Sequence, residues 1–357
     1  MTRSLHIIGS KASGGAERFY VRLLGALAAA GEEVHALHPP GSAVDRSLPA
    51  SIARTPVAMR GIWDLYAAWR IRTIARTGDA DIVQTYMGRA TRLTRFPPRR
   101  RPVHVARLGG YYHLKGYRHA HAWVGNTRGI CDYLINSGLP APRVFHIGNF
   151  VTPAAPAAPQ TLTALRQAFG IPEDARLLLT VGRLHPVKGM EDLLTAFARL
   201  PASVGERPLF LAIVGDGPLR SALQAEAVRL GIGPRVVWAG WQDDPAPWYE
   251  LADVFICPSR HEPLGNVILE AWAHRRAIVS TATLGALELI EDGSNGLLVP
   301  VSDPERLAAA IMNLLDDTAA GRQLAAGGAA VLSARFSEPV VVDAYREMYR
   351  TLLTGPG

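Results

Sequence analysis

The chain has 357 residues, 48% hydrophobic and 19% charged, which is enough for a large core and fits two domains of about 150 residues; wholesale disorder and a small binding module are excluded. No apolar run approaches the roughly 18 residues of a membrane span. The start MTRSLHIIGS lacks a signal-peptide pattern, and Cys131 and Cys257 stand outside any CxxC spacing, so the expectation is a cytoplasmic protein without disulfide framework or zinc knuckle. The net charge of +7 divides into +13 over residues 1–150 and −6 over residues 151–357, and a basic first half fits nucleic acid, an anionic membrane surface or a phosphorylated substrate.

In chain order, a first strand in LHIIG ends at Gly9 and leads through SKASGGAERF into a helix, which puts Gly14 and Gly15 at a strand-to-helix junction. Free amides at such a helix end favour an anion, although the pattern fits a plain tight turn equally. It is not GxGxxG, which disfavours an oxidoreductase with a dinucleotide fingerprint. Further strands are expected in DIVQT, HVARL, AWVGN and RVFHI. Between DIVQT and HVARL, Arg89, Arg92, Arg95, Arg99, Arg100 and Arg101 fall within thirteen residues. Guanidinium forks suit phosphate, and arginine stems can rest on a membrane surface. The aromatic interleaving of single-strand binders is absent, so nucleic acid is not expected. Tyr111, Tyr112, His113 and Tyr117 then fit either a ligand site or ordinary packing. His113, His119 and His121 lack acidic or cysteine companions and are read as no metal site.

The stretch Thr152 to Gln160 (TPAAPAAPQ) holds three prolines and four alanines without periodicity and reads as a linker. Strands in LLLTVG, LFLAIVG, VVWAG, DVFICPS, AIVST and GLLVP follow, again separated by helix-length amphipathic stretches. This alternation predicts an α/β protein of two doubly wound, Rossmann-like parallel-sheet domains. The expected boundaries are 1–152, a linker at 153–160, a second domain at 161–337, and a C-terminal helix at 338–357 that packs back towards the first domain. The helix would bury Val341, Tyr345, Met348 and Leu352 on one face.

In the second half, Gly182, Arg183, Lys188 and Gly189 follow the LLLTV strand and precede a helix. The chain has 35 arginines and only three lysines, so a lysine on a loop leaving a parallel strand suggests a phosphate contact, with a solvated charged loop as the alternative. Gly215, Asp216 and Gly217 form another such turn, in which Asp216 fits a helix cap or a ligand contact. Glu262 precedes a helix starting around Pro263 to Asn266, and Glu270 lies about 80° around and roughly 12 Å along from it. Their spacing exceeds the roughly 5 to 5.5 Å of a retaining glycosidase pair. Amides of Leu264, Gly265 and Asn266 would meet a phosphate between them, and a diphosphate flanked by two hydroxyl-bearing rings is a nucleotide sugar. Taken alone, two glutamates eight apart on a helix are more often a solvated face. Asp243 and Asp244 sit on a loop and offer no Mg²⁺ site, so neither metal nor cofactor is expected.

The ordered set GRLHPVKG, VGDGPLR, the run from Val236 to Ser259, EPLGNVILEAWA and ELIEDGSNGLLVP resembles the family 4 retaining glycosyltransferases, in particular the lipopolysaccharide-core-type branch. The resemblance implies a GT-B fold, with two Rossmann-like domains facing a cleft, the first binding acceptor, for which Arg89, Arg92, Arg107 and His113 are the candidates and Tyr111, Tyr112 and Tyr117 fit the lining of an acceptor-sugar site, and the second the nucleotide sugar. It places diphosphate-binding roles on Arg183 and Lys188, donor-sugar hydroxyls on Glu262 and ribose hydroxyls on Glu270. Gly14, Gly15, Gly182, Gly217, Leu264, Gly265 and Asn266 complete the implied donor site. Two positions depart from the family pattern: HVARLGGYYHL has Gly109 or Gly110 where many members carry a histidine, for which His113 is the substitute considered, and TATLGALELI keeps one glycine of a pair, Gly285, with Glu288 in register. The implied activity is metal-independent, retaining transfer of a hexose, from a UDP-sugar in preference, to an anionic cell-envelope glycan or glycolipid such as lipopolysaccharide core, with peripheral contact to the inner face of the plasma membrane. The alternatives are a nucleotide-sugar epimerase on the same fold and an inactive nucleotide-sugar-binding regulator.

Overall fold

The computed structural model describes residues 1–11, 14–98, 100–152 and 155–354. They form two compact units, Met1–Phe150 with Ser337–Gly357, and Val151–Phe336. In the first unit the strands are β1 (Arg3–Ile8), β2 (Glu33–His38), β3 (Ala53–Pro56), β4 (Ile82–Tyr86), β5 (Val103–Leu108), β6 (Ala122–Gly125) and β7 (Val144–His146), and the helices α1 (Gly15–Ala29), α2 (Ala43–Ser47), α3 (Leu65–Thr77), α4 (Met87–Leu93) and α5 (Arg128–Asn136). The strands pair in parallel in the order β3-β2-β1-β4-β5-β6-β7. The chain therefore builds outward from β1 to β3, returns to place β4 against the other edge of β1, and builds outward again. β2 and β3 lie outside the strand-like runs read from the sequence; the signal in EVHALH is a short alternation, and ARTP is an edge strand.

The second unit contains α6 (Pro159–Ala168), β8 (Arg176–Val181), α7 (Met190–Ala198), β9 (Ser203–Val204), β10 (Arg207–Val214), α8 (Arg220–Arg229), β11 (Val236–Gly240), α9 (Ala246–Leu251), β12 (Val254–Cys257), α10 (Asn266–Ala273), β13 (Ala277–Thr281), α11 (Leu284–Leu289), β14 (Leu297–Val299), α12 (Pro304–Asp316) and α13 (Thr318–Arg335). α6 begins within the stretch read as linker, because Pro159 suits the first turn of a helix, where its missing N–H is not needed. The sheet order is β11-β10-β8-β12-β13-β14, with β9 antiparallel on β10. Alternate residues of each strand serve opposite faces: Leu178, Ile213, Ile256 and Val279 pack with α7 and α12 on one, while Leu177, Leu179, Phe255 and Ile278 pack with Trp248 and Trp272 on the other. Burial on both faces is why these strands read as continuous apolar runs. Cys131 and Cys257 are buried.

The last helix, α14 (Glu338–Thr354), belongs to the first unit. Val341, Tyr345, Met348 and Leu352 enter the core that holds Phe19, Leu23 and Tyr86. Polar contacts fix its register: the Tyr349 hydroxyl donates to Gln84 Oε1 at 2.8 Å, Arg107 Nε donates to the Tyr345 hydroxyl at 3.0 Å, and Arg346 pairs with Glu32 at 2.9 Å. Gln84 Nε2 donates to the Tyr86 hydroxyl, which also meets His6 Nδ1 at 2.9 Å. Complete burial pushes the His6 imidazole down to about 3, so it is neutral.

Candidate functional site

In the second unit the strand order reverses between β8 and β12, and in open parallel sheets ligands bind at the carboxyl ends of strands at such a reversal. The loop after β8 continues the sheet pairing for a few residues: Gly182 N–H donates to Val214 O at 2.9 Å and Leu184 N–H to Asp216 O at 3.0 Å. A methyl group at Gly217 would lie 2.4 Å from Leu184 O, so the two loops stack only because this residue has no side chain. Asp216 accepts from Gly217 N–H at 2.7 Å and faces Arg220 at 3.8 Å, and it does not cap α8. Arg183 is exposed, and its guanidinium has no partner among the described residues.

Pro186 to Lys188 make one tight turn, and Gly189 (φ +62) carries the chain into α7. A methyl at Gly189 would lie 2.1 Å from Pro258 O, so the turn seats directly on the end of β12. Arg260 and His261 N–H groups donate to Val187 O at 2.9 and 3.1 Å. This seating brings the Lys188 ammonium onto the Glu262 carboxylate. Burial presses the ammonium downward, but the facing carboxylate outweighs it and holds it above its ordinary value. Gly285 N–H donates to Glu262 O at 2.9 Å, so the first turn of α11 supports the same segment. Leu264 is buried, and Gly265 (φ +87) turns the chain into α10 at Asn266. Within α10, Glu270 Oε2 accepts from the Tyr249 hydroxyl at 3.0 Å, and the Tyr249 ring stacks on His274 with centroids 5.3 Å apart. Two cations, two carboxylates and a helix N-terminus thus sit on loops and helices leaving β8 and β12, an arrangement able to hold an anion and hydroxyl groups.

The first unit reverses its order between β1 and β4. Met87, immediately after β4, has φ +65, a left-handed conformation that a side chain strains. Arg89 Nη1 donates to Gly9 O at 3.0 Å and Met59 O at 3.2 Å. Here a pocket of about 310 Å³ is lined by Ile62, Arg89, Arg92, Tyr112, His113 and Tyr117, among others. The Tyr112 and Tyr117 rings stack 5.9 Å apart, and burial raises both hydroxyls above their ordinary value. His113 Nδ1 accepts from Lys115 N–H at 3.3 Å.

Residues 13–155 match the family described as Glycosyltransferase Family 4, and residues 175–317 that described as Glycosyl transferases group 1. The lipopolysaccharide core biosynthesis glycosyltransferase LpsE of Rhizobium meliloti (strain 1021) is 34% identical over 338 residues, 94% of this chain and 95% of that protein. The chain belongs to glycosyltransferase family 4. LpsD of the same organism, also a lipopolysaccharide core biosynthesis glycosyltransferase, is 32% identical over 94% of this chain and 95% of its own. The GT-B fold is shared with the Anabaena Alr3699/HepE structure in complex with UDP and glucose, at a TM-score of 0.83 and 20% identity, covering 98% of this chain and 100% of that one.

For this family 4 chain, the structure brings Arg89, Arg92 and His113 to one pocket but not Arg107. That guanidinium is buried against Asn149 and Tyr345, 4.1 Å above the Phe19 ring, and is committed to packing. The arginine-rich stretch does not form one patch: Arg89 turns inward, Arg92 enters the pocket and Arg101 pairs with Asp81, while Arg99 lies outside the described residues. His113 also stands apart from His119 and His121, which instead approach His104, with ring centroids 5.6 and 6.4 Å from it. Gly14 has an extended backbone (φ −162), and its neighbour Glu17 is buried in the first turn of α1 with the carboxylate directed at Gly14. That carboxylate already lies at the helix end read as an anion site. Tyr249 was missed by sequence reasoning, because nothing in WYELAD relates it to a glutamate 21 positions on.

Proposed function

We propose that this glycosyltransferase moves a hexose from a nucleotide-diphosphate sugar, a UDP-sugar in preference, to an anionic envelope glycan or glycolipid of the lipopolysaccharide-core type, retaining the anomeric configuration and needing no metal. The observation that carries the reading is the meeting of Lys188 with Glu262 at the strand-order reversal, with the exposed Arg183 on the same loop as Lys188. As the glycosidic bond breaks, negative charge collects on the leaving diphosphate, and Arg183, Lys188 and the amides of Leu264, Gly265 and Asn266 stabilise it. Gly182 and Gly217 let backbone approach the donor, Glu262 binds sugar hydroxyls and Glu270 the ribose. Arg89, Arg92 and His113 take the acceptor. The names of LpsE and LpsD support the acceptor class, and the UDP and UDP-glucose complexes of HepE support the donor class. No helix among the described residues is long and apolar enough to cross a membrane, and the setting proposed is the cytoplasm, with peripheral contact at the inner face of the plasma membrane.

The test is incubation with UDP-hexoses and GDP-mannose, with and without lipopolysaccharide core oligosaccharide, in EDTA. Acceptor-dependent release of UDP and a product with the donor's anomeric configuration are expected. A sugar epimer formed without acceptor, or nucleotide binding with no transfer to any acceptor, would overturn the reading.

A further inference from the structure

Five of the large exposed apolar side chains of the first unit gather in one place. Trp63 is 86% exposed, Leu65 83%, Tyr66 69% and Trp69 56%, and Ile62 adjoins them. They occupy the turn before α3 and its first two turns. The opposite side of α3 is anchored, with Ala67, Ile71 and Ala75 buried in the core beside Leu5, Ile7 and Val83, so the exposed residues are not required to hold the helix in place. The turn itself is built: Asp64 accepts from Ala67 N–H at 2.9 Å and from Arg60 N–H at 3.0 Å, which holds Trp63 outward at the helix entrance. The Tyr66 and Trp69 rings lie 5.8 Å apart. Leu65, Trp69, Arg72 and Arg76 follow one another at spacings of four, three and four residues, so one stripe of the helix is apolar in its first half and cationic in its second.

Residues 60–76 carry Arg60, Arg70, Arg72 and Arg76 against the single acid Asp64. Projecting tryptophan, tyrosine and leucine flanked by arginine is the composition of a bilayer interface, where aromatic rings settle at headgroup level and guanidinium groups meet lipid phosphates. Charge complementarity therefore favours an anionic lipid surface over a second copy of this basic unit, which would set arginine against arginine. Ile62 also lines the pocket that holds Arg89, Arg92 and His113, so the apolar surface is continuous with that pocket.

We propose that Ile62–Trp69 is a bilayer-docking surface, with its aromatic side chains at the headgroup level of an anionic membrane and the arginines of α3 on the lipid phosphates. The pocket that Ile62 lines is then presented to glycans carried on lipid. The docking deepens the peripheral membrane contact proposed above, and the pocket's use for an acceptor rests on that reading; docking is measured without donor or acceptor, so that its failure is read apart from failure of transfer.

The experiment is flotation of the full chain with vesicles of phosphatidylethanolamine and phosphatidylglycerol, and with vesicles of phosphatidylcholine alone. Wild type is expected to float with the anionic vesicles and to release at high salt. The variant W63S/L65S/W69S is expected to lose at least about tenfold in partitioning, with its melting temperature and its transfer to a lipid-free acceptor unchanged. A second variant, R72E/R76E, is expected to lose the preference for anionic vesicles. Wild type that stays at the bottom of the gradient, a triple variant that floats like wild type, or a wild-type dimer that the triple substitution converts to a monomer without any vesicle binding would each overturn the proposal. Wild type that fails to float but still transfers to a lipid-free acceptor overturns the docking and leaves the enzymatic reading standing.

Discussion

At the reversal between β8 and β12 the loops bring a lysine onto a glutamate and hold them by backbone bonds between the two loops and from the first turn of α11, whereas at the reversal between β1 and β4 an arginine is spent partly on the carbonyls of Gly9 and Met59 beside a wall of stacked tyrosines. The topology is the same and the chemistry is not. An ion pair with an exposed arginine on the same loop can take up the charge of a leaving group. An arginine with two contacts to carbonyls still has donors to spare, and with tyrosine rings it fits a sugar face and an anionic substituent. The doubly wound sheet supplies the location; the loop residues decide what it does.

The largest effect expected from this contrast is on turnover. Lys188→Ala should lower it by roughly 10² or more, while Arg89→Ala, at the corresponding place in the first unit, should raise the acceptor KM and leave donor affinity unchanged. Steady-state kinetics with donor and acceptor varied separately check both, and equal loss of donor affinity in the two variants would break the contrast. Next is the turn that makes the Lys188 contact. Gly189→Ala forces a left-handed alanine onto Pro258 O and should destabilise the second unit by about 2 kcal/mol, read as a lower urea midpoint.

Acid should act on the other reversal. His6 on β1 faces Tyr86 on β4, and its folded value of about 3 lies below the ordinary 6.5, so the unfolded chain binds the extra proton between those values. Stability is fully present above pH 6.5 and falls as the pH drops towards 3; by pH 5 this one group removes on the order of 2 kcal/mol. Burial lowers His104 of the same unit in the same direction. Urea melts at pH 7 and pH 5 should show the first unit giving way earlier at the lower pH, and equal loss in both units would contradict this. The smallest effect is Tyr249→Phe, which removes the hydroxyl on Glu270 and should weaken donor binding by about 1 kcal/mol, roughly fivefold, measured by calorimetric titration with UDP.

Much of the architecture was legible because its causes are local. Strands buried on both faces must be apolar throughout, the helices between them must be amphipathic, and glycine stands at Gly189 and Gly217 because neighbouring backbone leaves no room for a Cβ. The C-terminal helix showed its buried face through Val341, Tyr345, Met348 and Leu352 for the same reason. β2 and β3 were harder to read, since a short strand near a sheet edge carries only a few residues of pattern. The arginine run looked like one basic patch because sequence records proximity along the chain and not direction, and the fold sends Arg89, Arg92 and Arg101 to different partners.

By itself the sequence determined the alternation of strands and helices, the glycine turns at their junctions and the charge contrast between the halves, all of which depend on residues within a few positions of one another. Only the tertiary structure decided that Lys188 meets Glu262 across 74 residues, that Arg89 reaches back to Gly9, that Tyr249 holds Glu270, and that His104, not His113, lies with His119 and His121. The physical reason is strand order: each of these contacts depends on which strands lie side by side and where their loops emerge, and that order is set by packing the whole sheet against its helices.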